Sequence, residues 1–472
     1  MYNELIKPTE MTIKDKKKIV KGNVTRAAIF ARSKVIEAIT ADNEKFYFIY
    51  YKNTLIYGDK LDKVEESSFI SKAFHEGITI KAPHPILTAL TPNLSVSIPN
   101  KNKLFSQLQT HFSLEEIAYI ATTLDSFFEK DLLIGIMDKT FFHYRREGNF
   151  IKSFQIIQIL HHFSPAFKSA KERFESLEFN SYRDYYQSPN FPVLLKRDPL
   201  FVEVHCFKNR FNPDERLLLE NILSKQDCLL ELLLWLENVS SQRDAQKIEK
   251  YTEIALRFVT MEEWILILSL VNINPFREIP EAISILERMI KKENYQKAAF
   301  YLFDFIEDLP SSYDSLLSTI WEHSDSKFVI SHFDDFITWF QKQPFGEKSK
   351  QSEQKIFQLA INLLAENDIK IVHEKLLSLQ KLLPGSEVIR KINEMAALVE
   401  NPDRMMELGD YYAEFKQFEK ALDCFFWEME LQPQNPDPVL KISKMYHNKG
   451  MSKEAATYQK IYVQLKDNQQ TG

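Results

Sequence analysis

Residues 402–435 read PDRMMELGDYYAEFKQFEKALDCFFWEMELQPQN, and this stretch decides the fold of the chain. Apolar side chains recur every three or four positions, which predicts two amphipathic helices joined by a short turn. Small Gly409 and Ala421 allow the two helices to cross closely, while Tyr412 and Phe425 fill the space between them and the next unit. Pro433 ends the second helix because it lacks a backbone N–H.

This pattern of small and large residues resembles a tetratricopeptide repeat (TPR), a helix–turn–helix unit of about 34 residues. Glu428 departs from the pattern, since TPR units usually carry a small or apolar residue at that place. The stretch from Pro436 onward continues the repeat less well, because Gln459 stands where the first unit has Phe425, with Tyr458 beside it.

Weaker copies of the pattern lie upstream, at residues 134–167, 279–312, 313–346 and 353–387. Their closing prolines are in phase, at Pro165, Pro310, Pro344 and Pro384. An additional helix is expected at 388–399, and residues 168–278 fit no period. The alternative is an irregular all-α domain with one or two repeats at its C-terminus.

The first hundred residues differ from the rest. Residues 24–40 have apolar side chains three to four apart and predict a helix. Residues 45–51 (KFYFIYY) and 54–57 (TLIY) are aromatic and β-branched, which predicts a β-hairpin, and residues 78–80 and 94–98 favour short strands. We therefore expect a mainly α fold, a TPR-like antiparallel helix-pair solenoid with a small α/β N-terminal module. The expected division is 1–100 (basic leader plus α/β module), 101–350 (divergent TPR-like repeats) and 351–472 (C-terminal TPR repeats).

Composition argues against several enzyme classes. The chain has 10 glycines among 472 residues, whereas average usage of about 7% would give roughly 33. Gly-rich phosphate-binding loops and the G-x-S-x-G elbow are absent from the sequence. The three cysteines, Cys206, Cys228 and Cys424, are far apart, which argues against a disulfide framework and favours a reducing compartment.

No group of residues predicts a catalytic or metal site. His161 and His162 are adjacent, so on a helix they point about 100° apart and cannot both face one metal ion. We expect no catalytic residue, no metal and no cofactor. An enzyme would have to use the N-terminal module, where His75 and His84 lie.

The sequence predicts a cytoplasmic protein without a transmembrane segment. The N-terminus lacks the apolar region of a secretory signal. The most apolar run, residues 228–239, is interrupted by Glu231 and falls short of the ~20 residues needed to span a bilayer.

The TPR resemblance implies a concave face formed by the first helix of each unit, on which a peptide or protein partner binds. Its apolar and acidic character favours a ligand with basic residues. Met406 and Asp410 replace the Lys/Asn clamp with which some TPR domains hold a terminal carboxylate, which argues against that role. The residues expected on this face are Asp403, Met406, Asp410, Ala413, Asp437, Leu440, Lys444, His447, Leu317 and Trp321.

A second hypothesis concerns the basic segment of residues 1–35, in which Lys and Arg greatly outnumber acids although the whole chain has a net charge of -6. Such a segment can contact nucleic acid or anionic lipid, remain a solvated tail, or pack on the chain's own acidic surface. No nucleic-acid-binding motif supports the first option, and self-association is a further alternative. The residues of this basic patch are Lys14, Lys16, Lys17, Lys18 and Lys21.

Overall fold

The computed structural model describes residues 6–15, 18–91, 93–187, 190–242, 247–342, 350–380, 383 and 385–471. The chain divides into two compact units, Met1–Ile279 and Pro280–Gly472. The sequence-based division into three segments stays a prediction.

The first unit begins with a sheet. Its strands are β1 (Glu10–Asp15), β2 (Lys18–Phe30), β3 (Ser33–Thr40), β4 (Lys45–Tyr51), β5 (Thr54–Lys60), β6 (Ile78–Lys81) and β7 (Ser95–Ser97). Their order in the sheet is β5-β4-β3-β2-β1-β7, with β6 paired to β2 outside that order. Strands β1 and β7 are parallel, and the other pairs are antiparallel.

The helix expected at residues 24–40 is wrong: these residues form the end of β2 and all of β3. The two strands meet in a tight turn at Ala31 and Arg32, where Ala31 has a φ of 51°. All but one residue of β3 are buried, so both faces of the strand are covered and the usual alternation is lost. The predicted hairpin at residues 45–57 is confirmed as β4 and β5.

Two helices of the first unit lie between strands of the sheet, and within the described residues no strand occurs after β7. The mainly α fold with a small α/β N-terminal module is thus confirmed. The helices are α1 (Phe69–Glu76), α2 (Ile86–Leu90), α3 (Leu104–Leu108), α4 (Leu114–Thr122), α5 (Lys130–Arg146), α6 (Phe150–Phe163), α7 (Lys168–Phe174), α8 (Asn180–Gln187), α9 (Phe191–Arg197), α10 (Pro199–Lys208), α11 (Pro213–Leu223), α12 (Cys228–Gln242), α13 (Ile248–Ala255), α14 (Met261–Leu270) and α15 (Pro275–Glu278).

Side-chain caps set where these helices begin. Ser113 caps α4 and Thr260 caps α14, each in a capping box with the glutamate three residues later, Glu116 and Glu263. Between α7 and α15 the helix lengths vary widely, which explains why residues 168–278 fit no repeat period.

The sheet is tied to the helices of the same unit by buried polar contacts. Arg32 Nε donates to Glu203 of α10 at 2.7 Å, and both side chains are at least nine-tenths buried. The Tyr51 hydroxyl donates to Glu116 of α4 at 3.1 Å. Phe30 packs edge-on against Phe207, with ring centroids 5.4 Å apart. These contacts fix how α4 and α10 lie against the strands.

The second unit is helical throughout its described residues. The weak copy at 313–346 contains three short helices, α18 to α20, rather than one pair; its closing Pro344 and the later Pro384 lie outside the described residues. The helices are α16 (Ala282–Lys291), α17 (Tyr295–Phe303), α18 (Asp314–His323), α19 (Ser326–Ser331), α20 (Phe333–Lys342), α21 (Lys350–Glu366), α22 (Ile369–Gln380), α23 (Glu387–Leu398), α24 (Met405–Glu414), α25 (Phe418–Leu431), α26 (Pro436–Asn448) and α27 (Ser452–Thr471).

Candidate functional site

The crossing of α24 and α25 has the geometry that the TPR pattern requires. A Cβ added at Gly409 would lie 2.4 Å from a carbon of the Phe425 ring, so only glycine fits there. Ala421 and Phe425 are fully buried, and Tyr412 is 6% exposed. The small and large residues of this unit therefore pack as the sequence predicted.

The next pair, α26 and α27, uses substitutes at the places where the repeat departs. Ser443 lies at the crossing, and its hydroxyl donates to the carbonyl of Ala455 at 2.8 Å. Tyr458 stacks on Tyr446, with ring centroids 5.5 Å apart, and contacts Phe426 at 5.7 Å. Tyr458 thus provides the aromatic packing that Gln459 cannot.

The departure at Glu428 is resolved by a local hydrogen bond. The Glu428 side chain is buried, and its carboxylate accepts a hydrogen bond from Gln432 Nε2 at 2.7 Å. Burial of a carboxylate is tolerated when a donor satisfies it.

Three helices, α23, α24 and α26, are joined in series by polar pairs. Lys391 of α23 pairs with Glu414 of α24, and the Tyr411 hydroxyl of α24 donates to Glu394 of α23. Lys441 of α26 lies 2.5 Å from the carboxylate of Asp410 on α24. We call the exposed side of α24 and α26, with the turn that precedes each, the first-helix face, because each is the first helix of its pair.

Eight of the ten residues expected on this face are accessible in the structure. Residues Met406, Ala413 and Leu440 are half-buried, and the polar and charged members are exposed. The exposed members are Asp403, Asp410, Asp437, Lys444 and His447.

The charge of the face is less acidic than the sequence indicates. Lys441 compensates Asp410, and the exposed Lys444 adds positive charge. Among the described residues, Asp403 and Asp437 take part in no ion pair. The acidic character is therefore confined to the N-terminal ends of α24 and α26.

Leu317 and Trp321 are not on any accessible face, so their assignment to the groove is wrong. They are 0% and 2% exposed, and Trp321 packs edge-on against Phe336 of α20 at 5.1 Å. Because α18 packs on α16 and α17 and Trp321 is covered by α20, the side of α18 expected to face a ligand is buried.

The basic patch lies on the sheet rather than on a free leader. Lys14 is in β1, and Lys18 and Lys21 are in β2; all three are exposed, while Lys16 and Lys17 lie outside the described residues. The nearby basic side chains of β2 and β3 are held internally: Arg26 pairs with Glu37 at 2.7 Å, and Lys34 donates to Asn53 at 2.7 Å.

The cysteines and the histidine considered below for catalysis lie in environments that disfavour their charged forms. Burial raises the pKa of the Cys206 thiol to about 12 and that of Cys424 to about 11, which makes both thiols poor nucleophiles. Burial lowers the pKa of His84 to about 4, and its Nδ1 accepts a hydrogen bond from the Ile86 N–H. Within the described ranges, no cluster of three His, Cys, Asp or Glu side chains could hold a metal ion.

A cavity of about 750 Å³ in the first unit was not predicted from the sequence. Its walls come from the end of β2, from α1 with the segment before it, and from α4, α6 and α10. These parts are far apart in the chain, so no motif or spacing signals the cavity.

None of the described helices has the length and apolar character needed to cross a membrane.

No protein-family model and no curated protein matches the chain. Among solved structures, the crystal structure of MamA is 14% identical and covers 40% of this chain and 98% of its own, with a TM-score of 0.18. The structure of Naa15/Naa10 bound to HypK-THB is 13% identical and covers 77% of this chain and 60% of its own, with a TM-score of 0.20. The crystal structure of the APC/C hetero-tetramer Cut9-Hcn1 is 13% identical and covers 78% of this chain and 83% of its own, with a TM-score of 0.17. At these TM-scores the alignments carry no argument; the TPR resemblance rests on the packing of α24 to α27.

Proposed function

We propose that this chain is a non-catalytic adaptor that binds a segment of another protein on the first-helix face. The observation that carries the proposal is the half-buried apolar strip of Met406, Ala413 and Leu440. These side chains are partly accessible on two helices whose buried residues include Leu408, Tyr412, Val439 and Ile442. An apolar strip with a polar rim is a common form of peptide-binding surface.

The charges around the strip define the kind of segment that fits. Asp403 lies in the short turn before α24 and Asp437 in the first turn of α26, both exposed and without an ion pair among the described residues. A ligand would place apolar side chains against Met406 and Leu440 and a basic group near one of these carboxylates. A basic group has less to gain at Asp410, because Lys441 already compensates that carboxylate.

The test compares two doubly substituted proteins that gain the same charge. Met406→Lys with Leu440→Lys alters the strip, whereas Ala456→Lys with Gln464→Lys alters exposed positions of α27. Each full-length protein is purified from its own cells with nuclease present, and bound proteins are quantified by mass spectrometry. We expect a defined partner to be lost from the first variant and kept by the second. A partner set that the strip variant keeps, or that both variants lose equally, contradicts the proposal.

The nucleic-acid alternative needs a gentler test than truncation. Removal of residues 1–35 would delete β1 and β2 and with them the middle of the sheet. Lys14→Gln with Lys18→Gln and Lys21→Gln removes exposed charge only. Partners that disappear in this variant and on nuclease treatment would favour nucleic acid over the first-helix face.

A further inference from the structure

We propose that the cavity of the first unit binds a small organic anion with an aromatic or branched apolar body. The cavity volume of about 750 Å³ lies within the range of roughly 300–1,000 Å³ that is usual for small-molecule sites. Its lining combines phenylalanine rings with lysine side chains. The kind of ligand that fits depends on which charged side chains of the lining already have partners within the protein.

The acidic side chains at the inner walls of the cavity are held by donors of the protein itself. Glu115 pairs with Lys152 at 2.7 Å and accepts from the Tyr144 hydroxyl at 2.9 Å. Asp125 accepts the backbone N–H of Phe69 at 2.9 Å.

Asp198 is likewise held by donors of the protein itself. It accepts from the Tyr186 hydroxyl at 2.8 Å and from the Phe201 N–H at 3.0 Å. Of the four acidic side chains that line the cavity, only Glu65, which is exposed, has no such partner among the described residues.

The ammonium groups of the lining have fewer close partners than its carboxylates among the residues that the structure describes. Within the described residues, Lys63, Lys130 and Lys208 make no ion pair, and Lys72 has only a long contact of 3.8 Å with Glu76. Burial and the charge of Lys72 lower the pKa of Lys208, although Glu76 acts in the opposite direction. The lining therefore keeps ammonium donors that are unpaired within the described part of the chain, whereas three of its four carboxylates already accept hydrogen bonds from the protein.

Aromatic and aliphatic side chains form the rest of the wall. The Lys72 ammonium lies 5.5 Å from the centroid of the Phe30 ring, and the Lys130 ammonium lies 5.5 Å from that of Phe163. Positive charge and apolar surface thus alternate around one space. Inorganic phosphate would leave the apolar wall unfilled, and a neutral hydrocarbon would leave the ammonium donors of the lysines without an acceptor. The remaining apolar lining includes Phe69, Ile159, Leu200 and Phe201.

Two naphthalene probes of similar shape separate charge from apolar contact. The anionic probe is 8-anilinonaphthalene-1-sulfonate, and the neutral probe is N-phenyl-1-naphthylamine. Titration of the full-length protein followed by fluorescence is expected to show one saturable site for the anionic probe. Inorganic phosphate at matched ionic strength is expected to compete only weakly. Absence of a saturable site, or displacement by phosphate at the concentration at which the probe itself binds, would overturn the proposal.

Matched variants locate that site. Lys72→Gln with Lys208→Gln removes two cavity lysines, whereas Lys196→Gln with Lys225→Gln removes two exposed lysines that do not line it. We expect the first variant to bind the anionic probe about tenfold more weakly, as the loss of two partly exposed charge contacts implies. Its affinity for the neutral probe and all affinities of the control should stay unchanged. An anionic-probe affinity that is unchanged in the first variant, or equally reduced in the control, would overturn the assignment.

A third variant tests whether the bound probe occupies the cavity. Ile159→Trp adds volume from α6, and thermal unfolding compared with that of the wild type shows whether the variant folds. Loss of the saturable site in folded Ile159→Trp is the expected result. If that protein binds the anionic probe as the wild type does, the probe lies elsewhere and the cavity assignment fails.

Discussion

One ion pair from each unit shows a contrast in how charged residues tie distant elements together. In the first unit, Arg32 and Glu203 are 10% and 4% exposed and join the sheet to α10 across a long stretch of sequence. In the second unit, Lys441 and Asp410 are 30% and 54% exposed and join two first helices of neighbouring pairs. The comparison teaches that a buried ion pair helps to fix the sheet on α10 in the first unit, whereas the pair in the second unit lies on a surface supported by apolar crossings.

The largest effect is expected from Arg32→Met. The substitution leaves the Glu203 carboxylate buried without its partner, and loss of one member of a buried pair costs about 3–5 kcal/mol. Urea unfolding of the first unit, followed by hydrogen exchange, would measure the loss of unfolding free energy. The double variant Arg32→Met/Glu203→Leu should lose less than the single variant. A single variant as stable as the wild type would show that the pair does not fix the sheet on α10.

Asp125 and His84 predict opposite pH effects within the first unit. Burial raises the pKa of Asp125 to about 6 and lowers that of His84 to about 4. The stability that Asp125 contributes to the folded state is present below its ordinary pKa and is lost as pH rises through about 6. The stability that His84 contributes to the folded state is present above its ordinary pKa and is lost as pH falls through about 4.

The corresponding variants separate these two contributions. Asp125→Asn should raise the unfolding free energy at pH 7.5 by up to about 3 kcal/mol, reduced by the partial exposure of Asp125, and should have little effect near pH 4. His84→Asn should reduce the loss of stability between pH 6 and pH 4. Denaturant titrations at several pH values measure both effects. If a variant changes the unfolding free energy by the same amount at every pH, the pKa of the substituted group does not differ between the folded and unfolded states, and the prediction is contradicted.

Two glycine substitutions compare the packing of the units directly. Gly409→Ala places a Cβ 2.4 Å from the Phe425 ring, and overpacking of this kind costs about 1–3 kcal/mol. At Gly135, inside α5, a Cβ meets nothing within 4 Å, so Gly135→Ala should stabilise its helix by about 0.5–1 kcal/mol. Hydrogen exchange of α24, α25 and α5 would report each effect. Equal stability of Gly409→Ala and the wild type would show that α24 and α25 cross with more room than this contact allows.

The smallest effect is expected from Asp410→Asn. The ion pair of Asp410 with Lys441 is partly exposed. It contributes at most about 1 kcal/mol to the free energy of unfolding, and less at high salt. A loss comparable to that of Arg32→Met, measured in the same denaturant titration, would contradict the contrast between the units.

Local patterns were enough for some elements and not for others. The α24–α25 pair was predictable because small and aromatic residues alternate at crossing positions within one short segment. The strands at residues 24–40 were not, since β3 is buried on both faces and the turn at Ala31 and Arg32 lacks the glycine or asparagine typical of tight hairpins.

The candidate sites show the same limit. The residues of the first-helix face follow from the repeat register, so eight of them are accessible. Leu317 and Trp321 failed because both are buried within the unit, Trp321 against Phe336 of α20, which no repeat register reveals. The cavity depends on contacts between α1, α4, α6 and α10, whose residues are distant in the sequence.

The most direct test of the adaptor role is photo-crosslinking at a single position. A benzophenone amino acid replaces Met406 on the first-helix face or, as the control, Ala456 on α27, and the cells are irradiated before purification. We predict a discrete protein adduct at position 406 that is absent at position 456. No adduct at position 406, or the same adducts at both positions, would contradict a protein-binding role for this face.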